Sequence, residues 1–210
     1  MENTGITVIR YQMNKAGELI IMSGMPIAPY QHFAKEHLGF EYKNVDLLIT
    51  ALTHRSYVNE HKKSVSEHNE RLEYLGDAVL ELVVTDYLYN NFTEAEGILT
   101  SWRAALVRTE SIYAAAQRNG FEPLLRLSRG EKRGTDRARA QILANSYEAV
   151  IGALYLDQGY DAAKLFIEKT LLFTFEESFE LFSFSFPQAN NILTFCRMSE
   201  CHRITTMFQL

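Results

Sequence analysis

From Tyr30 to about Leu172, apolar residues recur at spacings of three and four, β-branched alternation is scarce, and short polar stretches separate the runs. That is the pattern of helices joined by short connections. The spacing predicts helices over roughly 30–38, 45–53, 66–90, 97–107, 110–120, 137–156 and 160–172, and an all-α fold class. No internal repeat of solenoid length is present. Residues 1–29 carry no comparable pattern and are punctuated by Gly5, Gly17, Gly24, Pro26 and Pro29. They read as a leader without ordered elements, in which Met22 and Met25 are candidate starts. After residue 172 the character changes again. The last 40 residues hold eight of the 13 phenylalanines and both cysteines, with no lysine and no clear period. Two readings stay open for 173–210: a helix followed by a poorly ordered tail, or a segment this domain did not evolve with, as after a frameshift.

Two of the predicted helices carry more than a core stripe. Residues 66–86 hold six acids (Glu67, Glu70, Glu73, Asp77, Glu81, Asp86) against one base, Arg71. At about 100° per residue, Glu73, Asp77 and Glu81 fall within about 60° of Glu70. Leu72, Leu75, Val79, Leu82 and Val83 cluster on the opposite side as the expected core stripe. Like charges one turn apart repel, at roughly 0.2–0.5 kcal/mol per pair. A uniformly acidic face therefore makes better physical sense if a divalent cation neutralises it. Tyr74 lies about 40° from Glu70, on the acidic side and away from its own core. A large aromatic in that place suits packing against another surface, such as a partner chain.

Residues 141–156 are apolar nearly all round, the mark of a buried helix. Yet Asn145 and Glu148 sit one turn apart in it, with Gln141 on the same face. A buried carboxylate is costly unless paired or bound to metal. Either Glu148 pairs with an arginine, Arg71 and Arg103 being candidates, or it shares a metal site with the acidic helix; the second carboxylate-bearing helix favours the metal. Gly152, one turn beyond Glu148, marks a place where another element can approach closely, at a helix-propensity cost of about 1 kcal/mol.

Composition narrows the chemistry. With a formal net charge of −5 and a pI of about 5.7, the chain is not a basic coat for nucleic acid, so such a role needs a local patch or a bound cation. Residues 128–139 supply one patch, with Arg129, Lys132, Arg133, Arg137 and Arg139 against Glu131 and Asp136. Gly130 and Gly134 suggest a flexible loop. Two cysteines, Cys196 and Cys201, exclude a disulfide scaffold and a four-cysteine zinc site and read as plain thiols. His54, His61 and His68 recur every seven residues, about 10 Å apart on a continuous helix, too far for one metal; they read as surface or capping residues. No apolar run reaches the roughly 18 residues of a membrane span, and the start lacks a basic segment followed by an apolar core. A cytoplasmic protein with no membrane partner is expected.

The run Glu70-Arg71-Leu72-Glu73-Tyr74-Leu75-Gly76-Asp77-Ala78 resembles the signature of the ribonuclease III family. Supporting pieces follow in order: Ala51 to Tyr57 resembles the segment before the signature, Arg103 to Val107 the helix after it, and Ile142 through Glu148 to Asp157 the family's second block. The resemblance covers about 33–172 and implies the ribonuclease III endonuclease-domain helical fold over 30–172. It further implies an endonuclease that dimerises and cuts double-stranded RNA with Mg²⁺, or Mn²⁺ as a substitute, leaving 5′-phosphate and 3′-hydroxyl ends. By match, Glu73, Asp77, Asn145 and Glu148 take metal-ligand positions, with Asp77 and Glu148 catalytic. Glu70 takes a further acidic position at the subunit contact and RNA, and Tyr74 the aromatic that enters a socket on the partner.

The match departs at Asn145, where the family usually has an aspartate. An amide oxygen still ligates Mg²⁺ but lacks the charge. The 40 residues from Leu171 contain only Arg197 and Arg203 as bases, so no double-stranded-RNA-binding domain is expected in them. Arg129, Lys132, Arg133 and Arg137 are the expected RNA contacts, since A-form RNA is read through phosphates and 2′-hydroxyls. The reading is a homodimeric Mg²⁺-dependent endoribonuclease acting in rRNA and mRNA processing. The alternative is a weakened RNA-binding or ribosome-associated member of the same fold. A helical phosphohydrolase for small nucleotides would need histidine ligands and a closed pocket, which the residues do not suggest.

Overall fold

The helix that is apolar nearly all round becomes the axis of the domain. In the computed structural model, which describes residues 10–13, 19–22 and 27–175, helix α7 (Asp136–Gln158) packs against the helices α2 (Val45–Ala51), α4 (Glu70–Asn91), α6 (Thr109–Arg118) and α8 (Tyr160–Ile167). Ile142, Leu143, Tyr147, Val150, Ile151 and Leu154 of α7 are all buried. Around them lie α1 (Ala28–Phe33), α3 (Arg55–Glu60) and α5 (Glu96–Leu106). Short π-helical stretches extend α1 over Ala34–Leu38 and α8 over Glu168–Leu172. Rings of Phe33, Phe121, Tyr147 and Phe166 fill the space beside α7, with centroids 5.2–6.0 Å apart along the series. The domain is all-α, as the spacing predicts.

Local chemistry starts several of these helices. Asn44 caps α2 by accepting from the Asp46 N–H, His54 caps α3 by accepting from the Ser56 N–H, and Thr135 caps α7 by accepting from the Ala138 N–H. Gly159, at φ 90°, ends α7 and turns the chain into α8.

Some boundaries differ from the predicted ones. The acidic helix begins at Glu70, not 66, because the Asn69 N–H is drawn across to the Thr53 carbonyl at 2.9 Å. The helix predicted over 45–53 stops at Ala51, where Thr53 forms an isolated parallel bridge with Arg126. Helix α3 was not predicted; it buries none of its residues and so has no apolar stripe. Within the leader, β1 (Arg10–Met13) and β2 (Leu19–Met22) pair antiparallel, Arg10 opposite Met22. Four-residue strands are too short to show a period.

The expected end of the domain at 172 falls inside a packed segment. Phe175 is buried, with its ring 5.9 Å from Phe92 and 6.0 Å from Trp102, and the Arg118 guanidinium lies 5.7 Å from the Phe173 ring. The remaining expectations for the tail, including Cys196 and Cys201, lie outside the described residues.

Candidate active site

Two glycines set the site. At the crossing of α4 and α7, a Cβ on Gly76 would lie 1.7 Å from the Glu148 carbonyl oxygen, and one on Gly152 would lie 2.2 Å from the Leu72 carbonyl oxygen. The backbones touch because neither position has a side chain. Gly152 was expected to permit a close approach; Gly76 is its counterpart on the facing helix. Their contact brings the turn bearing Glu73 and Asp77 against the turn bearing Asn145 and Glu148.

The electrostatics follow from that proximity. Burial, then the charges of Asp77 and Glu73, push the Glu148 carboxyl up to about 8. Glu73 is raised by burial and by Glu70, and is lowered again by the polar Asn145 side chain beside it. Gln141 Nε2 in turn donates to Asn145 Oδ1 at 2.7 Å. The arginine-partner alternative for Glu148 fails. Arg103 binds Glu81 at 3.1 Å, and among the described residues no Lys or Arg forms an ion pair with Glu73, Asp77 or Glu148.

This donor set suits a hard divalent cation: oxygen ligands, unmatched negative charge, and one carboxyl whose burial cost a cation would lift. Glu73, Asp77 and Glu148 would hold it. The arrangement is not a finished cage, since among the described residues no three His, Cys, Asp or Glu side chains converge as a metal-binding group. Carboxylates repel until a cation gathers them.

The other predicted site residues spread around this centre. Glu70 lies 3.3 Å from Arg55 Nη1 and 3.8 Å from His68 Nδ1. Its arginine partner went unforeseen because it sits on the unpredicted α3. Tyr74 is 83% exposed, consistent with its angle on the helix. The core stripe is rotated from the expected one: Gly76, Leu80 and Val84 join Leu72, Val79 and Val83 inside, while Leu82 is 57% exposed. Leu82 therefore belongs with Tyr74 and the 77% exposed Tyr89 on an outward apolar stripe. The core faces α7, and α7 covers the Gly76 side of the helix.

The basic segment is a loop before α7 with a turn inside it. Glu131–Arg133 form a 3₁₀ turn, Ser128 Oγ accepts from the Glu131 N–H at 3.1 Å, and the Arg129 N–H bonds the Glu60 carboxylate at 3.2 Å. Lys132, Arg133 and Arg137 are exposed, as is Arg129. Arg139 is drawn aside to Glu122 at 2.9 Å. Arg137 stands eleven residues before Glu148 on α7, roughly 16 Å along the axis. His54 and His61 act locally, the first as a helix cap and the second stacked on Tyr57 at 4.0 Å.

Known proteins resemble this chain. The family described as Ribonuclease-III-like matches residues 44–174. Ribonuclease 3 of Listeria monocytogenes is 48% identical over 138 residues, covering 65% of this chain and 60% of that protein. Ribonuclease 3 of Anoxybacillus flavithermus is 49% identical over 146 residues, 68% of this chain and 61% of that protein. The chain thus spans about 60% of the length of the curated relatives it matches. A solved nuclease domain of ribonuclease III from Campylobacter jejuni, described for flexibility in the region involved in its dimer formation, superposes with a TM-score of 0.59 at 39% identity, over 66% of this chain and 96% of that one.

Proposed function

Since this chain belongs to the ribonuclease III family, we propose that it is an endoribonuclease that hydrolyses double-stranded RNA with Mg²⁺, leaving 5′-phosphate and 3′-hydroxyl ends. The observation that carries the reading is Glu148: a largely buried carboxyl with no basic partner among the described residues, placed by two glycines beside Asp77 and Glu73. Bound divalent metal supplies the activation of water and the stabilisation of a departing 3′ oxygen. Asp77 and Glu148, at the seam of α4 and α7, would hold that charge together with Glu73. Arg129, Lys132, Arg133 and Arg137 contact the RNA backbone, with Glu70 at the edge of the valley. The substrates are structured rRNA precursors and mRNA, and the location is the cytoplasm. Among the described residues no helix is long and apolar enough to cross a membrane.

The active form is a homodimer. The stripe of Tyr74, Leu82 and Tyr89 on α4 offers a self-complementary apolar surface, and a second copy covers it. Asn145 supports a second reading, a weakened RNA-binding or ribosome-associated protein of the same fold, because it removes one negative ligand.

Incubating the protein with a long RNA duplex and Mg²⁺ separates the two. The enzyme yields discrete fragments, and Glu148→Gln lowers the rate by at least about a thousandfold. Duplex binding without cleavage, in Mn²⁺ as well as Mg²⁺, establishes the second reading.

A further inference from the structure

The orientation of one amide in the acidic cluster follows from its neighbours. Asn145 lies beside Glu73, whose carboxylate only accepts hydrogen bonds, so the NH₂ is the end of the amide that suits that neighbour. Its oxygen then points to the other side, where Gln141, one turn earlier on α7, donates from Nε2 at 2.7 Å. The reverse orientation would set the amide oxygen against a carboxylate and leave the Gln141 NH₂ without that acceptor. The oxygen of the Asn145 amide is therefore committed to Gln141, and the NH₂ is the end left for the acids.

We propose that Gln141 is a positioning residue that latches Asn145 with its oxygen turned away from the acidic cluster, so that position 145 offers a divalent cation no ligand and the latch weakens cation binding. This deepens, and rests on, the reading of Glu73, Asp77 and Glu148 as a metal site. With the latch closed, the Asn145 NH₂ would compete with a cation for Glu73. With it released, the amide is free to rotate and present its oxygen. Were position 145 an aspartate, the same Gln141 NH₂ would orient a ligand and support binding, as outer hydrogen-bond partners of metal ligands do. The sign of the Gln141 effect thus depends on the residue at 145.

Titration calorimetry of the full chain with MnCl₂ and with MgCl₂, without RNA, tests this. Four proteins are compared: the parent, Gln141→Leu, Asn145→Asp and the double variant. Gln141 is exposed on its helix, and melting in metal-free buffer verifies that each variant is folded. Gln141→Leu in the parent is expected to tighten binding about threefold, and Asn145→Asp to tighten it at least about tenfold. In the Asn145→Asp background, Gln141→Leu is expected to weaken binding about tenfold. Unchanged or weaker binding by Gln141→Leu in the parent overturns the latch while leaving the metal site standing. No cation binding even by folded Asn145→Asp overturns the metal reading, and the latch with it.

Discussion

Helix α4 carries acids over most of its length, yet treats them in two ways. Three are answered: Glu70 lies against Arg55, Glu81 against Arg103, and Asp86 against Lys164 at 2.8 Å. Between the first two of these, Glu73 and Asp77 meet no base among the described residues and instead face a third carboxyl, Glu148 of α7. The same residue types thus serve two ends. Exposed pairs fasten neighbouring helices for little net energy, about 0–1 kcal/mol each. The unanswered acids work against folding, because burial and neighbouring charge both penalise ionised Glu73 and Glu148. An arrangement that opposes stability at one spot, with pairing available a turn away, marks chemistry rather than architecture.

The contrast depends first on how closely the early turns of α4 approach α7. Gly76→Ala is expected to cost on the order of 4 kcal/mol, measured by denaturant unfolding, because its Cβ would occupy the place of the Glu148 carbonyl oxygen. Alanine improves helix propensity by about 1 kcal/mol, so a variant as stable as its parent would mean that the helices do not touch there. Tyr74→Ala should weaken self-association by roughly 2–3 kcal/mol in sedimentation equilibrium, with the monomer still folded; an unaltered dimer would remove the α4 stripe from the interface.

The cost of the trio is visible through pH. The Glu148 carboxyl ionises at its ordinary 4.5 in the unfolded chain and at about 8 in the fold. Between those values the folded chain retains a proton that the unfolded chain releases, so stability falls as pH rises across that window. In metal-free buffer, Glu148→Gln should match its parent near pH 4 and exceed it by roughly 2 kcal/mol near pH 8, a figure discounted for partial exposure. Added Mg²⁺ should stabilise the parent and not the variant. A parent without the slope would place Glu148 in water. Lys164→Met, at a paired acid, is expected to cost less than about 1 kcal/mol; a larger loss would erase the distinction between paired and unpaired acids.

Much of this could be read from the chain. Spacing of apolar residues located the long helices, since burial of one face leaves a period wherever a helix spans several turns. Uniform charge on one side of α4, and a carboxylate inside an apolar helix, pointed to Glu73, Asp77 and Glu148, because each violates a rule that ordinary stability imposes. Helix α3 and the hairpin β1–β2 left no such trace, being short or unburied. The placing of Leu82 inside failed for a different reason: helical angles say which residues share a side, not where the neighbouring helix will lie.

Residue order alone determined which elements form and which side chains share a helix face, for these are local consequences of periodicity and capping. Where α4 and α7 meet depends on backbone contact between residues some seventy positions apart in sequence, and which acids find a base depends on the helices that packing brings beside α4. Such contacts leave no periodic signal in either segment, so they emerge only when the packed chain brings Gly76 against Glu148.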